Sequence, residues 1–187
     1  DINAALTTLS YQGDLDFNGT DTLNVTVSDQ GNTGSGGALT DSGSLDIVVQ
    51  AVNDQPHLTL PADQSVNEDT SLAIGGISVS DVDANGGDLQ VTLSVSSGTL
   101  TLADTTGLTF STGTGAGEAS VTFTGTAAAI NAALTTLSYQ GDLDFNGTDT
   151  LNVTVSDQGN TGSGGALSDS GSIDIAVQAV NDQPHLT

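Results

Sequence analysis

Alternation of apolar and polar positions dominates the chain. Leu151-Asn152-Val153-Thr154-Val155 and Ile173-Asp174-Ile175-Ala176-Val177 each place an apolar residue at every second position. This is the period of a strand with one buried face, and the apolar residues are largely β-branched. The same pattern predicts strands near 56–60, 71–79, 89–96, 99–102, 107–111, 119–124, 136–140, 150–156 and 172–180. The glycine-rich run 159–165 between the last two reads as a loop. One segment departs from period 2. After Thr126, an N-cap residue type, Ile130, Leu134 and Leu137 follow helical spacing, which predicts about two helical turns crossing between sheets and plugging one edge of the core.

Short strands with frequent turns predict an all-β, Greek-key sandwich of the immunoglobulin/cadherin-like type, with one short crossover helix per module. Phe110, Phe123 and Tyr139 are the bulkiest core candidates. With four Phe, two Tyr and no Trp in the chain, the rest of the core must be Val, Leu, Ile and Ala.

The pattern also repeats. Residues 2–59 recur as 130–187, an offset of 128, with differences only at Thr40/Ser168, Leu45/Ile173 and Val48/Ala176. A period this long is a whole domain rather than one turn of a solenoid. Residues 1–52 are therefore read as the C-terminal part of a preceding repeat, 53–180 as one complete module, and 181–187 as the start of the next. On this reading the apolar face of Leu23, Val25, Val27, Ile47 and Val49 lacks its opposing sheet. The expected partners are neighbouring repeats of the same chain, and residues 1–52 are expected either to be poorly packed or to be completed by strand exchange with another copy.

Charge changes the picture next. The 23 acidic residues face no Lys or Arg, for a formal charge of −23. No carboxylate can be neutralised by a basic side chain, so each must be solvated, hydrogen-bonded or bound to metal. Nucleic acid and direct contact with an anionic membrane are excluded as partners, since both require Lys or Arg. The absence of cysteine removes disulfides and thiolate metal sites. No apolar stretch is long enough for a membrane-spanning helix.

The acidic residues are patterned. D-x-D-x-N-G-x-D occurs at Asp14–Asp21, Asp81–Asp88 and Asp142–Asp149. Alternate carboxylates on a loop suit a hard cation such as Ca²⁺, which takes about 6–8 oxygen ligands. An EF-hand is rejected, because Val25, Thr92 and Val153 stand where its twelfth-position Glu belongs. The competing reading is a set of Asn-Gly hairpin turns with solvated aspartates. Strand parity places Asp81, Asp83, Asn85, Asp88 and Asp157 at the module's entry pole. It places Glu68, Asp142, Asp144, Asp149, Asn181 and Asp182 at its exit.

With Val66-Asn67-Glu68-Asp69-Thr70, Asp81-Val82-Asp83, Asp142–Gly147, Val155-Ser156-Asp157 and Ala179–Pro184 in place, the chain resembles the cadherin-like tandem repeats of giant bacterial adhesins, including RTX-type proteins exported by type I secretion. The resemblance implies calcium between successive modules, one to three ions per joint. The ligands it implies are Glu68, Asp142 and Asp144, the linker pairs Asn53-Asp54 and Asn181-Asp182, and Asp81, Asp83 and Asp157 from the following module, with Asp14 and Asp16 meeting Asn53. Ala51, Ala179, Gln55 and Gln183 depart from the family's linker pattern. His57 and His185 are expected to be first-strand side chains rather than ligands. The function implied is a calcium-rigidified spacer at the surface of a Gram-negative cell, acting in adhesion and biofilm formation. The alternative is a carbohydrate- or protein-binding module of the same protein. With no Cys, Lys or Arg and no Ser-His-Asp order, an enzyme is not expected.

Overall fold

The structure is a computed structural model that describes residues 2–183. The chain divides into two compact units, Asp1–Ala51 and Val52–Thr187. His185 lies outside the described residues.

The first unit consists of α1 (Ile2–Leu6) and a hairpin of β1 (Gly19–Ser28) and β2 (Thr40–Val49). The two strands pair antiparallel from Gly19↔Val49 to Ser28↔Thr40. None of its described residues is buried.

The second unit is an all-β sandwich. Its strands are β3 (His57–Thr59), β4 (Gln64–Asn67), β5 (Leu72–Ala73), β6 (Ser78–Ser80), β7 (Asp88–Ser94), β8 (Gly98–Leu102), β9 (Thr109–Thr112), β10 (Ala116–Glu118), β11 (Ser120–Thr126), β12 (Leu137–Gly141), β13 (Gly147–Ser156) and β14 (Ser168–Gln178). A single helix, α2 (Ala127–Leu134), links β11 to β12. One sheet has the order β4-β14-β13-β7-β11-β9, the other β10-β8-β12-β5, and β3 pairs with β6 in a short ribbon. Among the described residues, only β4 joins its sheet in parallel, from Ile175↔Gln64 to Gln178↔Asn67.

Alternation sets the inward face. Leu151, Val153 and Val155 of β13, and Ile173 and Ile175 of β14, are fully buried. They meet Leu89, Val91 and Leu93 of β7, Phe123 of β11, and Leu100 and Tyr139 from the opposite sheet. The rings of Phe110 and Phe123 contact each other at 5.6 Å in a tilted arrangement. Gly98 has a packing reason: a Cβ there would lie 2.5 Å from the Gln140 carbonyl and 2.6 Å from the Tyr139 ring.

The helix starts where its sequence places it. Thr126 is extended, and its hydroxyl caps the Ala129 N–H. Ile130, Ala133 and Leu134 point into the core. Asn131 fastens the helix to β6 by accepting from the Val79 N–H at 2.8 Å and donating to its carbonyl at 2.9 Å. Two strands escaped the alternation reading. β4 is an edge of four residues with only partial burial, and β10 is a three-residue strand around Gly117. The expected strand 71–79 is split into β5 and β6 by Gly75-Gly76, the second of which has positive φ and lies against Pro61.

Candidate functional site

The hairpin β13–β14 runs the length of the second unit, and the predicted ligands gather at its two ends. At the end near Ser156 and Ser168, Asn53 and Asp157 are buried. The Asn53 amide donates to an Asp157 carboxylate oxygen and, at 2.9 Å, to the Gly165 carbonyl. Asp157 Oδ1 also accepts from the Gly159 and Leu167 N–H groups, both at 2.8 Å. Burial alone would raise the Asp157 pKa, but these donors together hold it below the ordinary carboxylate value. The 81–88 turn closes the pole from the other side. Asp83 Oδ2 accepts from the Asp54 N–H at 2.9 Å, and Asp81 Oδ1 accepts from the Asp83 N–H at 3.1 Å. The Asn85 amide donates back to the Asp83 carbonyl, which also accepts from the Thr161 hydroxyl.

This network satisfies the donors but leaves two acceptors over. Among the described residues, Asn53 Oδ1 and Asp81 Oδ2 are the buried side-chain atoms with no hydrogen-bond partner. The Asn53 orientation is fixed by chemistry, because its other terminal atom faces two acceptors. Burial, and then the neighbouring Asp83 carboxylate, push the Asp81 pKa up to about 6. An unpaired buried oxygen costs about 1–3 kcal/mol, and the chain has no Lys or Arg to supply the missing donor. Both oxygens are acceptors whose lone pairs remain open to a donor or a cation.

At the other end, Glu68 is buried and accepts from the Val180 N–H and, at 3.3 Å, from the Asn146 amide. Asp69, Asp144 and Asp182 present oxygens within 4.8 Å of one another on the surface beside it. Asp69 and Asp144 both adopt positive φ, and Asp69 Oδ1 accepts from the Asp144 N–H. Desolvation, and then repulsion by Asp144, Glu68 and Asp69, raise the Asp182 pKa. Asn181 is exposed, its amide donating to the Asp182 carbonyl at 3.4 Å.

One expectation is corrected here. Asp149, expected at the exit pole, is buried inside the sandwich, because position 149 shares the inward parity of Leu151 and Val153. It accepts from Ser96 N–H and Oγ, the Ser97 N–H, the Thr150 N–H and the Tyr139 hydroxyl. Burial would raise its pKa, yet these donors leave it lowered. Asp88 begins β7 with its side chain exposed, and offers its backbone carbonyl to Gln158 and Asn160. Asp142 is exposed and makes backbone bonds to Ser97 and Phe145. Asp14 and Asp16 belong to the first unit, where Asp16 has positive φ and Asp14 lines a cleft of about 320 Å³ with Tyr11, Phe17 and Asp21. Asp69 was missed, although it follows Glu68 directly. His57 is exposed at the start of β3, opposite Ser80.

A family model described as Protein GAMETE EXPRESSED 2 domain matches residues 73–163, just under half of the chain and wholly within the second unit. No curated protein matches the chain. The matched family is one of eukaryotic gamete proteins, and this overturns the resemblance to bacterial RTX-type adhesin repeats. The adhesin spacer function, its ligand-binding alternative, the biofilm association and the Gram-negative cell surface fall with it. The reason is physical. Acidic turns and an Asn-Asp-Gln-Pro linker answer to turn geometry and cation chemistry, and any β-sandwich can carry them.

Proposed function

We propose that this chain is a non-catalytic β-sandwich repeat unit, similar to a domain of gamete-expressed proteins, whose entry pole binds a divalent cation and thereby fixes residues 52–54 against the loops around Asp83 and Asp157. The cation is Ca²⁺, because every available donor is a hard oxygen and such sites favour it over softer metals. The observation that carries this reading is the pair of buried, unpartnered oxygens Asn53 Oδ1 and Asp81 Oδ2. Asn53, Asp81, Asp83 and Asp157 would hold the ion, and its charge would offset the burial and the neighbouring Asp83 carboxylate that keep Asp81 hard to ionise.

The pole is where the chain enters the module. The Asn53 N–H bonds the Ser163 carbonyl and Val52 forms a bridge with Ser163, so an ion here would tie the entering segment to the module. Neighbouring repeats of the same protein are the natural partners of such a pole. The test is calorimetric titration of CaCl₂ into chelator-treated protein. Binding that is lost in Asn53→Ala and in Asp83→Asn supports the reading. Absence of Ca²⁺-dependent heat, with no change in the unfolding temperature, defeats it.

A further inference from the structure

The first unit carries a hairpin whose covered form is visible in the second. β1 and β2 pair in the same register as β13 and β14, with Leu23↔Leu45 matching Leu151↔Ile173 and Gly19↔Val49 matching Gly147↔Val177. In β13–β14 the edges are paired by β7 along Asn152–Ser156 and by β4 along Ile175–Gln178, and the inward face lies in one core with Leu100 and Tyr139 of the opposite sheet. In β1–β2 the same face is open, with Val25 41% and Leu45 61% exposed where Val153 and Ile173 are at 0%. Across residues 2–49 the sequences differ at three positions, and only Leu45/Ile173, an isomeric exchange, faces inward. What fits this face is therefore already on the page: the acceptor half formed by residues 52–126.

We propose that residues 2–49 are a second, interchangeable closing element for that acceptor half, and that the half they engage belongs to a second copy of the chain. Engagement within one chain is blocked by connectivity. Seated in the place of β14, Val49 would take the position of Val177 beside Val66, whereas Asp54 is held by Asp83 of the acceptor half, at the other end of the hairpin. A ten-residue strand separates those ends by roughly 30 Å, and the five residues from Val49 to Asp54 reach about 18 Å at most.

Each chain holds two closing elements for one acceptor. Exchange between intact chains gains no contact, since one hairpin is always left over, and the monomer prevails. Disabling the chain's own closing element changes that count to one for one. Two copies then close each other reciprocally, a symmetric arrangement that leaves no acceptor half open.

The experiment places Leu151→Asp with Ile173→Asp in the full chain, and adds Leu23→Asp with Leu45→Asp in a second variant. Mass by light scattering and thermal unfolding by circular dichroism are measured for each. The two-site variant is expected to run at twice the 18.5 kDa of the chain and to keep a cooperative transition. The four-site variant is expected to lose both. The proposal is overturned if the two-site variant is unfolded, if it stays a folded monomer, or if the four-site variant is equally dimeric.

Discussion

The hairpins Gly19–Val49 and Gly147–Val177 have nearly the same sequence, the same register and opposite fates. In the first, inward residues are half exposed; in the second, Leu151, Val153, Val155, Ile173 and Ile175 are fully buried. Local structure survives without burial, because turn chemistry is carried by the sequence itself. Asp29 accepts from the Gly31 and Leu39 N–H groups as Asp157 does from Gly159 and Leu167, all at 2.8 Å. Those bonds lower the Asp29 pKa just as they help to lower that of Asp157. What the second hairpin has, and the first does not, is the apolar cover of its own unit, the Asn53 amide, and the Ser96 and Ser97 donors.

The sharpest way to break this comparison is paired truncation. Leu151→Ala should lower the stability of the second unit by about 2–5 kcal/mol, as expected for a fully buried leucine, whereas Leu23→Ala should change the chain's unfolding by no more than about 0.5 kcal/mol. Denaturant titration of both variants measures the difference, and equal effects would mean that the first hairpin is covered after all. Next in size is Asp149→Ala, which leaves buried donors on Ser96, Ser97 and Tyr139 without an acceptor. A loss of about 3 kcal/mol is expected, against none resolvable for Asp21→Ala at the matching position.

The same carboxylate sets a pH dependence. The folded-state pKa of Asp149 is lowered, so its contribution is fully present above the ordinary carboxylate pKa of about 4 and is lost as pH falls through the lowered value. Acid unfolding followed from pH 5 to pH 2 should therefore be steeper for the wild type than for Asp149→Asn. Parallel curves would remove Asp149 from the account. The smallest contrast is at glycine. A Cβ on Gly171 would meet Leu60 at 2.7 Å, while one on Gly43 would meet nothing within 4 Å. Gly171→Ala should cost about 1 kcal/mol by overpacking, and Gly43→Ala should be neutral or slightly stabilising, both read as shifts in thermal midpoint.

Elements that depend on nearest neighbours along the chain were legible before any coordinates. Period-2 alternation located β7, β13 and β14, and the Thr126 cap with Ile130 and Leu134 located α2. The alternation of strand direction also put Asp81, Asp83 and Asp157 at one pole and Glu68, Asp144 and Asp182 at the other. Parity was misapplied at Asp149, where an acidic residue in a turn-like motif was read as a surface group although its position points inward.

By itself, then, the sequence determined the strand periods, the capped helix, the repeat and a charge that no side chain in the chain can cancel, because each of these is a property of composition or of residues a few places apart. Tertiary structure alone decided which carboxylates are solvated, which are wrapped in donors, and which leave a buried oxygen unpaired. It also decided which of two matching hairpins acquires an interior. Burial and pairing are set by what arrives from a distant part of the chain: β7 and β4 pair with β13–β14, whose inward residues are fully buried, while those of β1–β2 stay partly exposed.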